Sequence, residues 1–300
     1  MPVLTSLLEA FRLRARVFHN AQYCGTWGVD TATPHRASFH FVARGDCTFR
    51  LRERPDEVRT LTTGDLIVLP RGTPHIVGSA DCSPAQINEA TSVPYAEGEV
   101  EDSVALMCGY FEFDHVGPNP VADALPDCVF LRTAQPPHQG LLAPVTAALQ
   151  HESHNTSHGS AVVIDRLAEI LFVHLLRVHL AAHAQVPGLA AALADPGIRR
   201  ALELVHRKPD TKWSVAEMGA AAGMSRSTFA DRFRRLSGMS PMEYCTQWRM
   251  QRAYRWLVDE DIPVLEAALR CGYEGESSFS RAFKRVIGVS PSAVRRNRAG

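Results

Sequence analysis

The sequence predicts a chain of the α+β class: a small β-barrel first, a helical segment after it, and an all-α domain last. Three observations predict this. Residues 225–241, SRSTFADRFRRLSGMSP, return at an offset of 50 as residues 275–291, GESSFSRAFKRVIGVSP. Short apolar or alternating runs recur between turn residues over 20–115. The formal net charge is zero, yet residues from 196 onward carry 19 Lys+Arg against 11 Asp+Glu, which leaves 13 against 21 before them. Three hundred residues suit about two domains. The boundaries read as 1–135 for the barrel, 136–195 for the helical segment and linker, and 196–300 for the basic domain.

The barrel strands are Cys24–Val29, Ala37–Ala43, Cys47–Leu51, Leu66–Leu69, Ile76–Val77 and Val104–Phe113, with turns at Gly45-Asp46, Pro55-Asp56 and Gly64-Asp65. Such spacing argues for a small barrel or sandwich. The five prolines within 116–140 read as loop, with one strand at Cys128–Leu131. Leu141–His151 is a short helix. Ser160–Ala184 is a long one, with Val163, Leu167, Ile170, Leu171, His174, Leu175 and Val178 on a wide apolar face. That face needs a partner, either the chain's own barrel or a second copy. The run HESHNTSH at 151–158 is irregularly spaced and reads as a solvated helix junction. Pro187–Pro196 reads as the linker.

The repeat is two helix-turn-helix units. Self-similarity at a fixed period means one supersecondary unit built twice. Val215–Ala222 is a short Ala-rich helix, Gly223 stops it, and Ser225 caps the next. On that helix Phe229, Phe233 and Leu236 fall at i, i+4 and i+7 as one buried stripe. Phe279, Phe283 and Val286 do the same in the second unit, and Met242–Val258 joins the two. The opposite faces carry Ser225, Arg226, Ser227, Thr228, Arg232 and Arg235, then Ser277, Ser278, Ser280, Arg281, Lys284 and Arg285. A basic, hydroxyl-bearing helix face suits major-groove contact: Arg reads guanine edges bidentately, and Ser or Thr reaches bases or phosphates. One such face is commonly just solvated surface. Two in register at one period point to DNA, and the +8 balance supplies the phosphate attraction.

At these residues 196–300 resemble the DNA-binding domain of the AraC/XylS family of transcription regulators, most specifically in SFSRAFKRVIGVSP at 278–291. The resemblance implies that each recognition helix enters one of two successive major-groove segments of promoter DNA. The stretch GDLIVLPRGTPH, Gly64–His75, resembles the second cupin motif, and its Gly, Pro, Gly and His stand at the motif's spacing. Many AraC-type regulators carry such a barrel, followed by helices that form a homodimer, and many activate RNA polymerase. Those are the partners expected here.

Metal-dependent cupins use two His and a Glu from their first motif. Here His40 stands near the expected place with His35 five residues earlier, positions 38 and 42 are Ser and Val, and the next Glu is Glu53. The broken set argues against cupin enzymology. Another site remains open. Cys24 and Cys108 with His40 and His75 make a donor set for a zinc ion, or the two cysteines form a redox-sensitive pair. Alternatively the thiols act as small hydrophobes and the histidines as satisfied core residues, and the regulator binds a small organic ligand in the cupin cavity with the cysteines incidental. The order CGxxW, FH, GDLIVLPRGTPH, CG resembles the reactive-chlorine-responsive subgroup of AraC-type regulators, which implies sensing at Cys24 and Cys108. Cys47, Cys82 and Cys128 read as less well placed. Cys245 and Cys271 read as packing residues.

Seven cysteines without a CxxC pair imply neither a disulfide framework nor a zinc ribbon. Met1–Val17 carries four charges, and Ala161–Ala182 is interrupted by Asp165, Arg166, Glu169 and Arg177. The expectation is therefore a cytosolic protein with reduced thiols and no membrane partner.

Overall fold

The structure is a computed structural model that describes residues 2–31, 36–82, 87, 92–94, 100–113, 119–133, 139–154 and 157–296. Its strands are β1 Leu13–Cys24, β2 Gly28–Thr31, β3 Ala37–Arg44, β4 Cys47–Leu51, β5 Arg54–Leu61, β6 Asp65–Leu69, β7 His75–Gly78, β8 Ser92–Pro94, β9 Ser103–Phe113 and β10 Val129–Arg132. Its helices are α1 Pro2–Phe11, α2 Pro120–Asp123, α3 Gln139–Ser153, α4 Ser160–Ala182, α5 Leu189–Ala194, α6 Pro196–Arg207, α7 Val215–Ala222, α8 Arg226–Ser237, α9 Pro241–Arg255, α10 Val264–Arg270, α11 Glu276–Ile287 and α12 Pro291–Arg296. They form two compact units, one of Leu13–Phe113 and Leu125–Arg177, the other of Met1–Arg12, Asp114–Ala124 and Val178–Gly300.

In the first unit a six-stranded sheet, ordered β10-β6-β3-β9-β1-β8, accompanies a four-stranded sheet, β2-β7-β4-β5. One apolar cluster draws on both, with Val42, Ile67, Leu69, Leu106 and Cys108 from the larger and Cys47, Phe49, Leu61 and Val77 from the smaller. The apolar run Leu66–Leu69 of β6 is buried throughout, as an interior strand covered on both faces should be. Two expectations change here. The first strand begins at Leu13, well before Cys24, and β1 pairs along nearly its whole length with β9. Pro55-Asp56 lies inside β5 rather than in a turn. β5 is an edge strand, where a proline forfeits no ladder bond, and its exposed length carries no apolar pattern to read.

Helix α4 packs on its own sheet. Its Phe172 ring stands 4.5 Å from Phe111 and 5.8 Å from Phe113. Asp165 Oδ1 accepts from Val17 N at 2.9 Å, and Glu169 Oε1 from Ala15 N at 3.2 Å, near the β1 bulge. Ile164, Ala168, Leu171 and Leu175 are buried with Phe172, whereas Val162, Val163 and Ile170 stay exposed. The apolar face is thus split, its Val163 edge facing solvent.

The second unit is helical. The expected linker Pro187–Pro196 contains α5, with Leu189–Leu193 all buried. Helix α1, unforeseen in the sequence, packs in this unit rather than with the sheets. Arg255 Nε donates to Ala10 O at 2.7 Å, and Arg12 pairs with Asp259 at 2.7 Å. The joining helix α9 is capped by Ser240 and Glu243, and its last turn, Trp256–Glu260, widens to π geometry.

Candidate functional site

Each helix-turn-helix is set by its turn. Gly223 closes α7 with φ +73°, and Gly272 stands at φ +78° after α10. A side chain at either would be strained. Gly219 lets α8 cross closely, since a Cβ there would meet Met224 O at 3.1 Å and Phe229 Cβ at 3.3 Å. Phe229, Phe233, Phe279 and Phe283 are fully buried, 0–1% exposed. Leu236 and Val286, expected inward, are half-buried; Val286 packs against the second core beside fully buried Ile287.

The expected DNA-contacting residues divide once side chains are placed. Arg226, Ser227, Thr228, Arg235, Ser277, Ser278, Arg281, Lys284 and Arg285 face solvent, and Ser280 is half-buried. Ser225 is the N-cap of α8 and accepts from Thr228 N. Arg232 is otherwise occupied: its Nε meets Asp195 Oδ2 at 2.8 Å, while Asp195 Oδ1 caps α6 at Gly197 N and Ile198 N, both 2.9 Å. It braces α8 to α6 while its side chain stays 44% exposed. Among the described residues no ion pair engages Arg226, Arg235, Arg281, Lys284 or Arg285. Arg234, one repeat from Lys284, is a further exposed cation that the sequence left unmarked. The offset of 50 alone was enough to find it.

The second candidate site lies in the sheet unit. The ladder sets Cys108 opposite both His19 on β1 and His40 on β3. His40 Nδ1 is 3.0 Å from Cys108 Sγ, His40 Nε2 is 2.6 Å from His75 Nε2, and His75 Nδ1 is 2.7 Å from Thr73 O. The proton positions follow from the end of this chain. A carbonyl only accepts, so His75 Nδ1 donates to Thr73. Neutral His75 then accepts at Nε2, so His40 Nε2 donates and His40 Nδ1 accepts the Cys108 thiol proton. Burial, then His75 and His19, hold His40 well below the usual imidazole value. Burial lowers His75 too, against its bond to Thr73. Burial and then Cys47 push the Cys108 thiol up to about 12. Every member is neutral at ordinary pH.

This arrangement does not fit the expected zinc set. Cys108 and His75 bind opposite nitrogens of His40, so the three cannot converge on one ion. Among the described residues no group of three or more His, Cys, Asp or Glu could hold a metal. Cys24 stands apart. It is exposed at the end of β1 opposite Ser103, five positions along the ladder from Cys108, or about 17 Å. A disulfide needs Cα atoms within about 7 Å. The cysteine that shares the Cys108 cluster is Cys47, with Cys128 packed at its edge, the reverse of the sequence ranking. Strand register, invisible in the sequence, decides this. His35 lies outside the described residues.

Two helix-turn-helix units that follow a two-sheet domain in the chain define a DNA-binding regulator. The sequence profile of the cupin family matches residues 3–181, and that of a helix-turn-helix domain matches 218–297. The chain belongs to the AraC-like transcription regulators with an N-terminal cupin domain. It is 33% identical over 303 residues to an AraC-like transcription regulator of Streptomyces antibioticus, covering 99% of each chain. It is 26% identical over 275 residues to RclR of Escherichia coli, an RCS-specific transcriptional activator, covering 89% of each. The DNA-binding domain of AdpA, solved with a target DNA, is 33% identical over 34% of this chain and 92% of that one, with a TM-score of 0.32. These relatives are regulators, and the chain is a DNA-binding transcription regulator rather than an enzyme. Among the described residues no helix is long and apolar enough to cross a membrane.

Proposed function

We propose that α8 and α11 read two successive major-groove segments of promoter DNA, with Arg226, Ser227, Thr228, Arg234 and Arg235 on the first and Ser277, Ser278, Arg281, Lys284 and Arg285 on the second. The observation that carries this is the pair of matched helices, each with two fully buried Phe behind a front of unpaired cations. Cations at phosphates supply affinity and Arg at base edges supplies sequence preference. Charge reversal at Arg226 and Arg235 tests it. Promoter binding is lost while the melting temperature holds, and retained binding contradicts the groove placement.

The sheet unit acts as the sensor, and a second copy docks on the exposed Val162, Val163 and Ile170 of α4. The activator name of the E. coli relative supports activation through RNA polymerase. A ligand suits this sensor better than an oxidant, because the thiolate is the reactive form and Cys108 is buried far above its range. Promoter binding before and after mild oxidation checks this. Wild type and the Cys24→Ser, Cys108→Ser double variant respond alike, and a response confined to wild type contradicts it.

A further inference from the structure

The two sheets end side by side. β5 is the edge of the four-stranded sheet and β10 the edge of the six-stranded one. A cavity of about 460 Å³ opens between them, a size that suits a small organic ligand. Half-buried Phe130 gives it an apolar patch, and Leu61 and Leu66 lie beneath the floor, nearly inaccessible. Arg59 and Arg132 line it from opposite edges. The Arg59 guanidinium lies over the Phe130 ring, 4.5 Å from its centroid. Among the described residues neither arginine has an ion pair.

Asp65 is the one carboxylate in the lining. It stands opposite Arg132 in register, and its Oδ2 is engaged by Thr62 N at 2.9 Å and Thr62 Oγ1 at 3.1 Å. The lining therefore keeps two guanidinium groups against one acid that already has donors. A guanidinium prefers a carboxylate because its fork delivers two parallel charge-assisted bonds, and its plane stacks on flat rings. Inorganic anions would satisfy the charge and leave the apolar patch wet.

We propose that this cavity binds a monocarboxylate with a flat apolar body, the carboxylate held by Arg59 and Arg132 and the body packed beside Phe130 and the Arg59 guanidinium that lies over it. The proposal rests on the reading of the sheet unit as a sensor, and it names the ligand class. It also gives the occupant a route inward. Phe130 stands 5.6 Å from Phe49, edge-on, and Phe49 stands 5.6 Å from His75, which is bonded to His40 and through it to Cys108. A body that shifts Phe130 therefore presses on the neutral hydrogen-bonded chain through one intervening ring.

The test is direct binding to the full chain without DNA, so a missing site and a missing regulatory response are told apart. Calorimetric titration uses 2-naphthoate, its neutral analogue 2-naphthamide, and inorganic phosphate. The expected result is saturable binding of naphthoate at one site per chain. Naphthamide binds roughly tenfold more weakly or worse, as loss of a charge-assisted bond requires. Arg59→Gln and Arg132→Gln each weaken naphthoate by a similar factor, with melting temperatures unchanged. Phe130→Leu also weakens it, which ties the body to that ring. The proposal is overturned if naphthoate does not saturate, if naphthamide or phosphate binds as well, or if the folded arginine variants bind like wild type.

Discussion

The two helix-turn-helix units share a back and differ at the edges. Both bury a Phe pair four residues apart, and both have a glycine with positive φ at the turn. Ser225 of the first becomes Gly275 of the second, so α8 has a side-chain cap and α11 has none. Arg226 becomes Glu276, and Asp231 becomes Arg281. Arg232, clamped to Asp195, becomes Ala282, 7% exposed in the second core. The first unit is thus braced partly by polar contacts to α6, and the second by an apolar cluster that includes Trp256, Leu257, Ile262 and Ile287. What the repeat keeps is the presentation of a helix. How that helix is anchored, and which positions bear cations, are free to diverge.

The largest effect that could break the comparison is in the shared back. Phe233→Ala and Phe283→Ala each lose about 3–5 kcal/mol by cavity formation, read by chemical denaturation. Nearly equal losses support equivalent cores, and a loss under about 1 kcal/mol at either position contradicts its burial.

Acid distinguishes the two braces. His206 of α6 donates to or accepts from Tyr244 Oη at 2.7 Å, stacks on Trp248 at 3.9 Å, and is 8% exposed. Burial, then Arg252, lowers its pKa to about 3. Unfolded, it takes up a proton near 6.5, so between about pH 6.5 and 3 the unfolded chain binds more protons and stability falls as pH falls. The loss is about 3 kcal/mol by pH 4. His206→Gln flattens that slope, and an unchanged slope places the acid sensitivity elsewhere.

Smaller effects sharpen the contrast. Ser225→Ala costs about 1 kcal/mol of stability through the lost cap, while Gly275→Ser, supplying the missing cap, gains a few tenths or more. Arg232→Ala costs less than about 1 kcal/mol, because its side chain is 44% exposed. It leaves sequence preference intact, and a changed preference would return Arg232 to the groove.

Much of this was legible in the sequence because it repeats or because it is local. Gly223, Ser225 and the Phe pairs are fixed by neighbours within one turn, so their spacing shows them. GDLIVLPRGTPH announced β6 and β7 for the same reason. What was not legible depends on distant partners. Arg232 looks like any front-face cation until Asp195 is placed beside it. Cys24 and Cys108 looked equivalent, yet a five-position ladder offset separates them, and register is set by pairing across the sheet. β5 escaped because an exposed edge strand has no apolar alternation. Helix α1 escaped because the sheet that follows it in the chain is not the surface it packs on. Arg59 and Arg132 are brought to one cavity only by the meeting of two sheet edges.

The central claim is that both helices read DNA. The most direct measurement is fluorescence anisotropy of the DNA upstream of the protein's own gene, against a scrambled duplex, over a salt series. Wild type binds the upstream DNA more tightly, with affinity falling steeply as salt rises. Arg226→Ala and Arg281→Ala each cost about 1–3 kcal/mol on the upstream DNA and little on the scrambled duplex. Equal losses on both duplexes assign those arginines to phosphates. If neither substitution changes binding to either duplex, the two helix fronts are solvated surface and the account is wrong.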